Sequence, residues 1–256
     1  MGKFCFTVDD NIRFLKELTQ QRPADMFEHP YLAMYRRLHE QFGLKVQLNL
    51  FYKLEDFDLS QMTDAYRAQW EACSDWLKLS FHSEWENVCP YEFSGYGEVY
   101  DHCKAVQAQI LRFAGEKSLG STTTVHYCRT TEEGLEALKD NGVQGLLGLF
   151  GTPEKPRSSY GVPEALCVKL RAGELVSYRD ITMAPIDIVL NDCTVPQILA
   201  RLKELNGRQQ IDVMIHEQYF YPDYVQYHPD YEQELAQTFQ FLCDHGYQST
   251  FLEKCI

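Results

Sequence analysis

Asp9 and Asp10 stand side by side where the alternation Phe4, Phe6, Val8 ends. Two adjacent acids can divide two jobs: one binds a cation and stays ionised, and the other accepts a proton. His82 and Glu86 stand four residues apart, a spacing that brings two donors together if the chain turns into a helix just after His82. With Asp10 as a third ligand, carboxylate oxygens and an imidazole suit a divalent metal, zinc first, with manganese, iron and cobalt as rivals. Three protein ligands leave coordination positions open, and Asp9 would take a proton from the water there. His126 and His216 also close strand-like segments. Asp9, Asp10, His82, His126 and His216 converge if those strands are parallel neighbours.

The segments that must deliver these residues are readable from periodicity. Lys3 to Val8, Lys45 to Phe51 and Leu77 to His82 read as strands, and Ser121 to Tyr127 joins them through its Thr and Val content. Val143 to Phe150 is nearly all apolar, as a strand buried on both faces would be. Tyr31, Tyr35, Leu38 and Phe42 recur at helical steps before Gly43, and Val99, Cys103, Val106, Ile110 and Phe113 do so before Gly115. Thr131 opens a further helix that Gly142 closes. Gly151 to Pro163 reads as a surface loop, and 165–171 with 175–179 as an inserted hairpin spanning about 164–180. Ile186 to Leu190, a helix near Val195 to Leu205, Ile211 to Ile215, a helix over 230–245 and Tyr247 to Leu252 complete the alternation. The order and size fit one α/β domain over 1–256, a distorted (β/α) barrel of about seven parallel strands, with an open doubly wound sheet as the alternative. Reactive groups at the C-terminal ends of several strands favour the barrel.

Composition removes other classes. Lys and Arg total 24 against 37 acids, a formal charge of -13, and no basic cluster matches a nucleic-acid surface. No apolar run approaches the roughly 18–20 residues of a membrane span, and the first residues lack a signal-peptide core. The nine Cys are scattered, with no CxxC pair, as in a reducing compartment. The expectation is a cytoplasmic protein with a small-molecule or glycan substrate and no nucleic-acid or membrane partner. The oligomeric state is not encoded legibly.

Thr7-Val8-Asp9-Asp10, His82-Ser83-Glu84-Trp85-Glu86 and Met214-Ile215-His216 resemble the first, second and fifth motifs of the NodB-like polysaccharide deacetylases, carbohydrate esterase family 4. Those motifs usually read T-F-D-D, H-[ST]-x-x-H and L-x-H. The resemblance covers most of the chain, with Tyr127 to Leu146 at the third motif and its helix and Tyr231 to Leu252 at the closing helix and strand. It implies a distorted seven-stranded barrel, Asp9 as general base, Asp10 and His82 as metal ligands, and His216 as the acid that protonates the leaving group. The implied reaction is hydrolysis of an N- or O-acetyl group on a sugar. The chain departs from the pattern at Glu86, which replaces a His ligand, with Asn87 as a fallback, and in the third motif, which reads His126-Tyr127-Cys128-Arg129.

His126 and Arg129 are therefore expected at the substrate, together with Trp85, Tyr219 and Tyr221, whose rings would stack on sugar faces. His29, His39, His102 and His245 are expected outside the site. Two other functions remain compatible with these residues: a barrel that binds ligand without turnover, and metal-dependent hydrolysis of another C–N or ester bond such as a cyclic amide or phosphoester.

Overall fold

A computed structural model describes residues 2–86, 91–152 and 157–256. The strands in chain order are β1 (Gly2–Asn11), β2 (Val46–Leu54), β3 (Phe57–Asp58), β4 (Leu77–Trp85), β5 (Thr122–Thr123), β6 (Gly145–Gly148), β7 (Val176–Tyr178), β8 (Ile181–Pro185), β9 (Ile188–Val189), β10 (Gln210–His216) and β11 (Tyr247–Ser249). The helices are α1 (Arg13–Gln21), α2 (Pro30–Phe42), α3 (Arg67–Ala72), α4 (Tyr96–Phe113), α5 (Glu132–Asp140), α6 (Glu164–Arg171), α7 (Val195–Leu205) and α8 (Tyr231–Asp244).

β1 is the central strand. It runs parallel to β10 on one side and to β2 and β11 on the other, and β2 runs parallel to β4. Burial on both faces follows: Phe4 and Phe6 pack on Phe239 of α8 at 5.7 and 5.0 Å between ring centroids, while Cys5, Thr7 and Asp9 are also buried. A second sheet has the order β5-β6-β8-β7, parallel except for the hairpin strand β7. The described residues thus form an α/β fold of two ladders with mainly parallel pairing, and no closed barrel ladder joins them. The sheets nonetheless touch along both margins. Gly120 N donates to Leu79 O at 2.8 Å on one side, and Asp187 N to Asp212 O at 2.9 Å on the other.

The helices bury the faces that their spacing predicts. Tyr31, Tyr35 and Leu38 of α2 are buried, and Gly43 ends that helix at φ 64 with its N–H on His39 O. Val99, Cys103, Val106, Ile110 and Phe113 form the inner face of α4.

Three local expectations fail. Residues 165–171 are helix α6, not a strand: Cys167 and Leu170 are buried while Val168 is 54% exposed, so burial follows a three-residue step. The inserted hairpin is instead β7 with β8, closed by Arg179 and Asp180 at φ 54 and 61. The strand expected to run to Tyr127 stops at Thr123, because the chain enters a turn at His126–Cys128 in which Tyr127 and Cys128 have φ 59 and 56. No helical turn follows His82; β4 continues to Trp85, so the spacing expected to unite His82 and Glu86 is drawn out along a strand.

Candidate metal centre

Two irregularities in the ladders carry the first two donors. Between Val8↔Leu48 and Asn11↔Leu50, β1 has one more residue than β2, and Asp10 lies there at φ 63. Between Leu50↔Phe81 and Phe51↔Ser83, β4 has one more residue than β2, and that residue is His82. An extra residue bends its strand and re-aims its side chain. Left-handed backbone at a non-glycine residue costs about 1–3 kcal/mol and is held by its surroundings. For Asp10 the hold is visible: three amides two to four residues on, Ile12 N, Arg13 N and Phe14 N, all donate to the Glu217 carboxylate at 2.6, 3.0 and 2.8 Å.

His82 Nε2 lies 3.0 Å from Asp10 Oδ1 and 3.1 Å from His126 Nδ1, and His126 Nδ1 lies 3.3 Å from the same Asp10 oxygen. Asp10, His82 and His126 form a set of donors within 4.8 Å of one another. The far nitrogen of each ring faces a backbone carbonyl, His82 Nδ1 at 2.5 Å from Thr124 O and His126 Nε2 at 3.1 Å from Glu86 O. A carbonyl only accepts, so each ring donates there and turns a lone pair towards Asp10. Ligands about 2.0–2.2 Å from one cation lie roughly 3.0–3.5 Å from each other, which matches these separations. The residues present fit a divalent metal.

With the rings protonated instead of turning lone pairs inward, the cluster still gathers positive charge around Asp10. Burial alone would raise the Asp10 carboxyl, but hydrogen bonds from His126 and His82 and the nearby His216 hold it well below the usual carboxylate range. Burial would lower His82, yet Asp9 and Asp10 raise it above an ordinary histidine.

Asp9 is 1% exposed, and its Oδ1 accepts from Asn49 Nδ2 at 2.6 Å. Burial lifts its pKa against the opposing effects of His82, His216 and the Asn49 hydrogen bond. Asn49 is itself fixed by Gln47, and Gln47 by Thr122, so buried side chains from β2 and β5 hold Asp9 in place. His216 is the last residue of β10, opposite Asp9 in register, and its Nδ1 meets Asn191 Oδ1 at 2.8 Å. Gln218 Nε2 donates to Asp10 Oδ2 at 2.7 Å, while its Oε1 is buried without a partner.

A cavity of about 300 Å³ contains Asp9, Asp10, His82, His126 and His216, with Glu86 also on its wall. The set of converging donors contains His126 and not Glu86, whose carboxyl is raised by burial and by Asp10. Asn87 lies outside the described residues. Arg129 is turned outward to an ion pair with Glu92. Trp85 sits under Lys53 at 5.5 Å, Tyr221 is buried beneath Arg13 at 3.9 Å, and Tyr219 approaches the His216 ring at 6.1 Å. His29 meets Glu17, His39 stacks on Trp76, His102 meets Tyr91 and His245 stacks on Phe241.

Sequence reasoning does not single out Arg157, Asp192 and Gln218, which line the same cavity, or Asn49 beneath it. For Asn49 a signal existed: a polar amide at an inward position of an otherwise apolar strand asks for a buried partner. Arg157 comes from a loop and Asp192 from a single 3-10 turn, Leu190–Asp192, where periodicity gives no direction.

Neither the protein-family models nor the curated proteins contain a match to this chain. Solved structures do match. A family 4 acetyl xylan esterase from Clostridium thermocellum, in complex with a cobalt ion, aligns over 98% of this chain and 89% of its own, at 12% identity and a TM-score of 0.54. A CE4 esterase from Streptococcus mutans aligns over 98% and 85%, at 12% identity and 0.50. A 4-alpha-glucanotransferase from Thermococcus litoralis gives 0.62 at 13% identity, with 99% of this chain covering 40% of that one. At such identities the likeness is one of fold: this chain has the fold of the family 4 carbohydrate esterases, shared in part with a glucanotransferase.

Proposed function

We propose that this chain is a metal-dependent hydrolase that removes an acetyl group from a carbohydrate or another small amide or ester. The observation that carries the reading is the meeting of Asp10 Oδ1, His82 Nε2 and His126 Nδ1 beside the buried Asp9 carboxyl. The cobalt-bound acetyl xylan esterase of the same fold supports it. We read residues 1–256 as one domain and the two ladders as the halves of a distorted barrel whose seams lie at Leu79–Gly120 and Asp187–Asp212.

Asp10, His82 and His126 would hold the divalent metal, zinc first among the candidates, and Glu86 gives way to His126 as the third ligand. When bound, the ion supplies Lewis acidity to a carbonyl oxygen and lowers the pKa of water. Asp9 accepts the proton of the attacking water. Its Oδ1 is engaged by Asn49, which directs the other oxygen to that task. His216, with Nδ1 turned to Asn191, presents Nε2 to protonate the leaving amine or alcohol. Gln218 steadies Asp10 from the opposite side. The composition argument for a cytoplasmic location points to soluble glycan fragments or small metabolites as substrates.

The test is metal analysis of the purified protein followed by acetate release from N-acetylglucosamine oligomers and acetylated xylan. Release that needs zinc or cobalt supports the reading; a metal-loaded protein that releases no acetate from any acetylated carbohydrate refutes it. The outward turn of Arg129 favours a second reading, a binding protein without turnover. Loss of a measured hydrolysis in Asp9→Asn, with metal retained, excludes that reading.

A further inference from the structure

Residues 157–160 are laced onto the end of β6 and onto the segment that carries His126. Gly151 N donates to Arg157 O at 2.7 Å, and Ser158 faces Phe150 in an isolated antiparallel bridge. Ser159 Oγ accepts from Leu149 N and donates to Leu149 O, each at 2.8 Å. Tyr160 Oη accepts from Val125 N, one residue before His126, at 3.2 Å and donates to Leu147 O at 2.6 Å. These bonds fix the backbone of Arg157 at the wall of the cavity that contains the metal centre.

The side chain of Arg157 is the exception among the arginines. Every other arginine has a hydrogen-bond or ion-pair partner, whereas Arg157 has none among the described residues. The same wall carries Asp9, Asp10, Glu86 and Asp192, and Arg157 pairs with none of them. Asp9 is held by Asn49, Asp10 by His82, His126 and Gln218, and Asp192 by Asn191. In a chain with 37 acids against 24 Lys and Arg, a guanidinium left unpaired at this wall sets the position apart. Its five N–H donors form a planar fork that matches the oxygens of a carboxylate or a phosphate. The cavity, about 300 Å³, is at the small end of ligand sites. It suits a single sugar ring, so an oxyanion at Arg157 and an acyl group at the metal centre belong to one small molecule.

We propose that the substrate is a small acetylated sugar bearing an oxyanion, carboxylate or phosphate, and that Arg157 grips this group while the acetyl group lies at the metal centre. The proposal rests on the deacetylase reading of that centre. Arg157 is then a specificity-determining residue: it separates anionic from neutral sugars through charge-assisted hydrogen bonds and takes no part in proton transfer. Because its backbone is already fixed by the bonds to Gly151 and the neighbouring residues, binding has only the side chain to order. The metal donors Asp10, His82 and His126 are left to the acyl group.

The experiment compares three sugars that differ only at C6: N-acetylglucosamine, N-acetylglucosaminuronic acid and N-acetylglucosamine 6-phosphate. Binding to the full-length, zinc-loaded protein is measured by titration calorimetry, and acetate release is measured separately. At least one anionic sugar should bind roughly 10- to 100-fold more tightly than the neutral one, and which of the two does so identifies the oxyanion. Arg157→Gln should cut that preference to less than about threefold, whereas Arg157→Lys, which keeps the charge without the fork, should retain part of it. Arg157 is exposed, so both variants should fold. Tight, Arg157-dependent binding with no acetate release from any acetylated carbohydrate would support the anion site and overturn the deacetylase reading. Equal or undetectable binding of the three sugars, or a preference that survives Arg157→Gln, would overturn the anion site, and acetate release alongside it would leave the deacetylase reading standing.

Discussion

His82 Nε2 and His126 Nδ1 face each other at 3.1 Å, although they belong to segments 44 residues apart. Each ring spends its other N–H on a main-chain carbonyl, Thr124 O for His82 and Glu86 O for His126. Two lone pairs and the Asp10 carboxylate meeting this closely repel unless a proton or a cation lies among them, and a cation satisfies all three.

The third ligand can be identified by substitution. His126→Ala should weaken zinc binding by about 100-fold or more, at or beyond the upper end of the effects seen for residues that merely support a ligand. Glu86→Gln should change it by less than about threefold, because only the main-chain oxygen of Glu86 is used. Titration calorimetry on protein stripped with a chelator measures both, and the reverse ranking would restore Glu86 as the ligand.

Asp9→Asn should lower kcat for acetate release by about 10²–10⁴-fold with zinc stoichiometry unchanged. Asn49→Ala, which removes the donor to Asp9 Oδ1, should lower kcat less than Asp9→Asn does. Equal rates for the unaltered chain and Asp9→Asn would remove Asp9 from the reaction.

Glu217 joins the end of β10 to the start of α1 through its three amide hydrogen bonds. Burial pushes its carboxyl up to about 7, with the Ile12, Phe14 and Arg13 amides pulling the other way. Glu217→Ala leaves those buried donors unpaired and should cost about 2 kcal/mol or more, read as a fall in the urea midpoint. It should also weaken zinc binding, since Asp10 loses the anchor that holds its left-handed backbone. Unchanged stability and metal affinity would deny Glu217 this positioning role.

Asp212 gives a pH signature independent of the metal centre. Burial, then the nearby Asp187, raises its carboxyl to about 8, against hydrogen bonds from Gln210 and Cys5. The folded protein thus keeps a proton that the unfolded chain releases at the ordinary value of 3.8, and stability from this group falls as pH rises between those values. Asp212→Asn should gain stability relative to the unaltered chain on going from pH 5 to pH 8, on the order of 2–3 kcal/mol. A stability difference that does not change with pH would contradict the assignment.

Asp9, Asp10, His82 and His216 are legible as candidates because each is a polar, chemistry-bearing residue that interrupts or closes an apolar run, in β1, β4 and β10. His126 is expected from the sequence at the substrate, not as a metal donor. Its position depends on Tyr127 and Cys128 adopting left-handed backbone, which neither residue type announces. The spacing of Glu86 from His82 suggests a shared ligand site, but four residues mean proximity only on a helix, and β4 stays extended through Trp85. Helix α6 reads as a strand in the sequence because its solvent face carries Ala165 and Val168, which blurs the contrast that periodicity needs. The two ladder irregularities that aim Asp10 and His82 are relations between strands, invisible in either strand alone.

The central claim is tested most directly by a crystal structure of the zinc-loaded protein with anomalous scattering recorded at the zinc edge. The account predicts one anomalous peak about 2.0–2.2 Å from an Asp10 carboxylate oxygen, His82 Nε2 and His126 Nδ1. A peak held by Glu86 with His126 turned away, or no peak at this cluster at full loading, would contradict it.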